Sequence, residues 1–416
     1  MAKLLTGLSL GYFLVMLDTT IVTVALPALS SSLSAQQWIS NGYTLTFAAF
    51  LLTAGAWSDR FGARRVFFTG LVSFAALSLL SAFSASPAML IALRALLGIA
   101  GALLVPSSLS LIAAAYPVPA SRAKAMGVWA ALSGTGLVAG PLLGGILTEA
   151  FGWRAIFLVN VPVAVVALAL SRTAPATPPK PGRTDVTGQL SAVVALSTFT
   201  YSLVEGNPWV LPVSVLAAAV FVASQRRPDA MLPPRLLSWS LPAGAIVNFG
   251  LSGVLFVLSL YFQETRGYPP SSAGLAFLPL TIPTAFNPIF TGRLVARIGP
   301  RIPAVAGFLL MSAGTLIQAF SPPVALSALG LALLGFGVSL AIPALLTAVV
   351  GSAPPELAGL AGGALNASRQ TGAALGVAVL GALVSGTSTA FALVTAAVVL
   401  LAGASIAAAA LDELPA

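Results

Sequence analysis

Three charged side chains interrupt long apolar runs, and they are the natural starting point for chemistry. Asp18 sits in the middle of residues 5–29, Arg94 in residues 88–115, and Arg369 in residues 359–385. A charge buried in a bilayer costs about 2.5–3.5 kcal/mol on insertion scales, so such residues are rare and usually functional. Asp18 is the only carboxylate deep in such a run. Burial favours its protonated form and a nearby cation favours its ionised form, so a carboxylate held between the two forces binds and releases protons. Arg94 is the expected partner that sets the balance. The alternative is a static ion pair that only joins two helices. The chain has no Cys and no His. That excludes disulfides, thiolate or imidazole metal ligands, cysteine nucleophiles and His acid–base catalysis. None of its three lysines (Lys3, Lys124, Lys180) follows a glycine, so there is no Walker A phosphate loop. No cofactor and no metal are expected, and no enzyme activity.

The elements that must position these residues follow from composition. The 416 residues are 58% hydrophobic and only 7% charged, against about 25% charged in soluble domains. Lipid is the solvent that fits such a chain. A crossing helix needs about 20 mostly apolar residues. Fourteen segments qualify: 5–29, 38–57, 66–84, 88–115, 125–148, 154–170, 186–205, 208–224, 241–263, 271–292, 301–320, 323–350, 359–385 and 387–411. The first is too long for a signal peptide and carries Asp18 at its centre, so it is expected to remain as a span.

The net charge of +9 invites a nucleic-acid reading, but placing it on this topology removes the need. With the N-terminus inside, the inner loops hold Lys3, Arg60, Arg64, Arg65, Arg122, Lys124, Arg172, Lys180, Arg183, Arg226, Arg227, Arg235, Arg293, Arg297 and Arg301. The outer loops hold only Arg154 and Arg266. That asymmetry puts both termini in the cytoplasm.

An internal repeat divides the chain. Gly55, Arg60, Gly62 and Arg64 align without gaps on Gly292, Arg297, Gly299 and Arg301, an offset of 292 − 55 = 237. Ala95 to Gly98, Pro106 and Pro117 align at the same offset on Ala332 to Gly335, Pro343 and Pro354. The expected organisation is an N-terminal six-helix bundle (1–170), a linker with an inserted helix pair (171–237) and a C-terminal six-helix bundle (238–416). Repeats of this kind place substrate near the bilayer midplane. The offset pairs Asp18 with Leu255, Arg94 with Leu331 and Arg369 with Leu132, so the charges do not repeat.

Two further groups stand out. Gly136, Gly140 and Gly144 share one helix face beside Pro141 and Gly145, a face on which another helix can approach closely; Gly372 and Gly376 form a shorter version. Asn41, Tyr43, Asn248, Asn287, Asn366, Arg369 and Gln370 are polar groups within spans that are candidates to line a substrate cavity, with interhelical hydrogen bonding as the plainer reading.

These stretches resemble the major facilitator superfamily, and within it the fourteen-span drug:proton antiporters. The resemblance rests on Leu17 to Pro27, Gly55 to Arg65, Leu90 to Ala102 and Gly134 to Gly145, with Trp153-Arg154, Phe157, Asn160, Pro162 and Arg369-Gln370. It implies an all-α integral membrane protein of two six-helix bundles plus two inserted helices, exporting amphiphilic drugs, antibiotics or metabolites in exchange for protons. It implies Asp18 and Arg94 as the proton-coupling residues. Gly55, Asp59, Arg60, Gly62, Arg64 and Arg65 would form a cytoplasmic gate, and Gly136, Gly140, Pro141, Gly144 and Gly145 the antiporter motif. The expected partners are protons, the bilayer of the cell's inner membrane and a small amphiphilic substrate; no nucleic acid is expected, and the chain is expected to be a monomer. The sequence departs from the family pattern at Ala63 and Leu97. It also lacks a deep carboxylate in the C-terminal half, where Glu264 ends a span and Glu356 lies in a loop; this argues for monocationic or neutral substrates over dications. Uptake or facilitated diffusion on the same fold, and a membrane scaffold without transport, are the alternatives.

Overall fold

The computed structural model describes residues 2–179, 185–227, 230–233, 236, 239–354 and 357–410. Lys180, Arg183, Arg235 and Glu356 lie outside the described residues. The helices are α1 (Ala2–Leu29), α2 (Leu33–Phe61), α3 (Ala63–Ala82), α4 (Pro87–Ala115), α5 (Pro119–Phe151), α6 (Ala155–Leu158), α7 (Asn160–Leu170), α8 (Val186–Val204) and α9 (Leu211–Ser224). They continue with α10 (Ser240–Leu260), α11 (Pro270–Ala276), α12 (Leu278–Phe286), α13 (Pro288–Ile298), α14 (Arg301–Ala319), α15 (Val324–Ser352), α16 (Ala358–Gly386) and α17 (Thr389–Ala410). A 3-10 turn at Pro208–Val210 leads into α9, and a π-helical turn at Tyr261–Thr265 extends α10.

Local signals explain many of the boundaries. Ser32 and Ser86 cap α2 and α4 by accepting hydrogen bonds from Ala35 N and Met89 N at 3.4 and 3.2 Å. Pro87 and Pro119 open α4 and α5, where a missing N–H costs nothing. Gly62 turns α2 into α3 at φ 88°, a conformation that side chains resist. Its repeat mate, Gly299 (62 + 237), makes the corresponding α13–α14 turn at φ 77°. The repeat seen in sequence is therefore a repeat of local backbone.

Among the described residues, nine helices are long and apolar enough to cross a membrane. Ala155–Leu170 and Pro208–Ser224 are apolar but shorter. The expected continuous span 271–292 is instead broken into α11, α12 and α13. Pro279, Pro283 and Pro288 each lack the N–H that a continuous helix needs. Segment 154–170 is likewise divided at Val159 into α6 and α7, with Pro162 three residues on.

The chain forms two compact units. The first comprises Met1–Gln189 with Pro269–Gly274; there α1 packs on α5, α7 and α4, and α4 packs on α2 and α3. The first turn of α8 belongs to this unit, fastened by a buried hydrogen bond from the Thr53 hydroxyl to Gln189 Oε1. The second comprises Leu190–Tyr268 with Leu275–Ala416; there α10 packs on α16 and α17, and α15 on α14 and α12.

Candidate functional site

Asp18 lies on the face of α1 among Leu14, Val15, Leu17, Ile21 and Val22, all buried, and is itself fully buried. A carboxylate in such surroundings needs partners, and two helices supply them. Arg94 of α4, only 1% exposed, donates from Nη1 to Asp18 Oδ2 in a buried salt bridge. Asn160, the first residue of α7, donates from Nδ2 to Asp18 Oδ1 at 3.0 Å. Each carboxylate oxygen thus accepts a hydrogen bond from a different helix.

Arg94 is held on its other sides by α2. Its Nε donates to the Ile39 carbonyl at 3.1 Å, and its guanidinium lies 4.4 Å from the centre of the Tyr43 ring. The Tyr43 hydroxyl donates to the Val15 carbonyl at 3.4 Å, which returns to α1. The Asn160 amide also reaches Ser78 Oγ of α3 at 3.4 Å. Five helices of one unit therefore meet at one charge pair. A change in charge at Asp18 alters what Arg94 and Asn160 are held by, and through them the packing of α4 and α7.

The glycine face of α5 has a defined neighbour. A Cβ added at Gly136 would lie 2.7 Å from the Phe13 carbonyl oxygen, and one at Gly144 2.5 Å from that of Ile21. Gly140 fits against Thr20, and Gly145 against Pro270 and Ser271. The helix that approaches so closely is α1, over the stretch that carries Asp18. Pro141 lies inside α5, with its carbonyl against Gly274.

The α2–α3 turn carries Asp59, Arg60, Gly62, Arg64 and Arg65, residues expected to form the cytoplasmic gate. Among the described residues, Asp59 makes no ion pair with Arg60, Arg64 or Arg65. Arg60 stacks on Phe61 at 5.3 Å and Arg64 on Phe68 at 5.8 Å, and Arg64 Nη2 donates to the Arg172 carbonyl at 3.2 Å. Gly55 packs toward Pro106.

The polar residues proposed to line a cavity divide. Tyr43 belongs to the Asp18–Arg94 cluster. Asn41 is fully buried nearby on α2, and neither of its amide atoms has a partner among the described residues. In the second unit, Arg369 Nε donates to Asn248 Oδ1 at 3.2 Å, joining α16 to α10. Asn287 donates to Ser339 Oγ at 2.7 Å, joining the α12–α13 junction to α15. Gln370 is buried, and Asn366 Oδ1 is buried without a partner among the described residues.

Sequence reasoning gave Asn160 no role and passed over Ser78. An amide at the head of a short apolar helix was the available signal for the first. A lone serine in an apolar helix carries none.

Comparison with known proteins places the chain, by sequence, in one family. The family model described as Major Facilitator Superfamily matches residues 8–377 and, separately, residues 240–416. The chain is 34% identical over 407 residues to the tetracenomycin C resistance and export protein of Streptomyces glaucescens, covering 92% of this chain and 75% of that one. It is 35% identical over 407 residues to the methylenomycin A resistance protein of Streptomyces coelicolor, covering 92% and 86%. A crystal structure of an auto-inhibited POT family peptide transporter shares the fold, with a TM-score of 0.75 and 16% identity, over 100% of this chain and 97% of that one.

Proposed function

The chain belongs to the major facilitator superfamily and is a multi-pass membrane transporter, and from that premise we propose that it exports amphiphilic small molecules in exchange for protons. The carrying observation is the buried Asp18–Arg94 pair with Asn160. The relatives named for resistance to or export of tetracenomycin C and methylenomycin A support export of antibiotic-like molecules. In this reading Asp18 takes a proton from outside, loses its hold on Arg94, and α1 and α4 shift relative to each other. Deprotonation toward the cytoplasm restores the pair. Protonation and substrate binding bias the two states of an alternating-access cycle in opposite directions.

The same reading makes this a fourteen-span antiporter of the cell's inner membrane, with fourteen crossings, both termini inside and a monomer as the working form. Its bundles are 1–170 and 238–416, with helices of 171–237 inserted. The positive charges on alternate loops support that orientation. Arg60, Arg64 and Arg65 with Asp59 act at the cytoplasmic gate. Gly136, Gly140, Pro141, Gly144 and Gly145 keep α5 close to α1 as the latter moves. Asn41, Asn248, Asn287, Asn366, Arg369 and Gln370 offer hydrogen bonds to substrate.

The test is efflux of fluorescent cationic and neutral dyes from cells lacking their own pumps, at matched expression. Wild type is expected to extrude at least one dye. Asp18→Asn, and a protonophore added to wild type, are each expected to bring that efflux to background. Efflux that survives both treatments would overturn proton coupling.

A further inference from the structure

We propose that the α2–α3 turn and the segment following α7 form a binding site for a phosphate-bearing anion, the headgroup of an anionic phospholipid or a free phosphate ester. A cleft of about 660 Å³ opens there, lined by Phe61, Gly62, Arg64, Arg65, Phe68 and residues 176–179. Its walls are close-set: a Cβ on Gly62 would lie 2.7 Å from the Thr177 carbonyl oxygen.

The electrostatics are one-sided. Arg64 and Arg65 stand in the first turn of α3, which contains no acidic residue and has no side-chain cap. Two cations at the positive end of a helix repel it and each other, so an anion bound there relieves both. No carboxylate lines the cleft among the described residues. Arg64 is already oriented by Phe68 and by the Arg172 carbonyl, which lowers the entropy lost on binding. Guanidinium forks match phosphate oxygens in pairs. Independently of these charges, the Thr177 hydroxyl on the opposite wall is buried with no hydrogen-bond partner among the described residues. Phe61, 47% exposed, together with Phe68, Ala176, Pro178 and Pro179 gives the cleft an apolar side suited to a lipid glycerol or acyl chain. A ligand here would tie the α2–α3 turn to the segment that leads toward α8. The proposed orientation would put this cleft at the inner leaflet; the binding itself does not rest on that reading.

The experiment is native mass spectrometry of the full-length purified protein, titrated separately with phosphatidylglycerol, phosphatidylcholine, glycerol 3-phosphate and inorganic phosphate. Wild type, Arg65→Gln, Arg64→Gln/Arg65→Gln, Thr177→Val and, as a control outside the cleft, Arg122→Gln are compared. Phosphatidylglycerol is expected to bind wild type and Arg122→Gln alike. The double variant is expected to weaken it about tenfold or more, since each lost hydrogen bond to a charged group is worth about that factor. Binding of the soluble phosphates with the same dependence on Arg64 and Arg65, and no preference for lipid, would support the site with a free phosphate as its source. Equal binding to wild type and to the double variant for every probe would overturn it. So would a loss in Arg122→Gln as large as in the double variant. Because no transport is measured, failure here is separable from failure of proton coupling.

Discussion

The two units solve one packing problem with different chemistry. In the first, α1 and α4 carry Asp18 and Arg94, buried and paired. In the second, the repeat-related positions on α10 and α15 are Leu255 (18 + 237) and Leu331 (94 + 237), both buried. The surrounding scaffold recurs. Gly372 and Gly376 of α16 sit against Ala245 and Phe249 of α10, much as the α5 glycines sit against α1. The second unit instead places its intramembrane cation on α16, where Arg369 meets the neutral Asn248. Leucine therefore suffices wherever only the helix packing must be kept. A buried ion pair is weak support for stability, because desolvation offsets much of its attraction. The absence of charge at the repeat-related positions Leu255 and Leu331 points to a task that the other half does not share.

This comparison can be broken most directly by making the first unit resemble the second. Arg94→Leu leaves Asp18 buried without its cation and is expected to cost about 3–5 kcal/mol. The double variant Asp18→Leu/Arg94→Leu is expected to recover most of that while remaining inactive in dye efflux. Thermal unfolding of the purified proteins checks the first part. A double variant as unstable as the single one would mean that the first unit needs its charges to fold.

Asn160→Ala sharpens the comparison further, since Leu255, the repeat mate of Asp18, offers no carboxylate for such an amide to serve. The lost hydrogen bond to a charged group is expected to cost about 2 kcal/mol. It is also expected to slow dye efflux at matched expression, because the amide holds α7 to the charge pair. Unchanged efflux would leave Asn160 a packing residue.

The smallest effects are expected at the helix contacts common to both units. Gly140→Ala and Gly376→Ala each introduce a methyl group where a neighbouring helix leaves no room, at a cost of about 1–2 kcal/mol. Only the first adjoins the stretch of α1 bearing Asp18. Gly140→Ala is therefore expected to alter the pH profile of efflux, and Gly376→Ala to alter stability alone. Identical behaviour of the two would remove the link between the glycine face and the charge pair.

Much of this was legible in the sequence. Helices lie at all fourteen apolar segments, because a chain with so few charges and so regular a spacing of turn residues has little other choice in lipid. The turns at Gly62 and Gly299 were legible as a repeat, and Asp18 with Arg94 as rare charges in apolar runs. The broken span at 271–292 was less so: prolines announce interruptions, but whether a helix kinks or divides depends on the neighbours that hold its freed carbonyls.

The sequence alone determined the solvent, the helical class, the internal repeat and the scarcity that singles out Asp18 and Arg94. These follow from composition and periodicity, which are properties of the chain before it folds. Tertiary structure alone decided that Asn160 completes the carboxylate's shell, that Tyr43 stacks on Arg94, and that α1 is the helix seated on the α5 glycines. It also decided that Arg64 turns to Phe68 and a carbonyl, and that among the described residues Asp59 makes no ion pair with the arginines around it. Contacts between residues 76 or 142 positions apart depend on helix rotation and register, which no local pattern encodes. They are set by which side chains fit when whole helices pack.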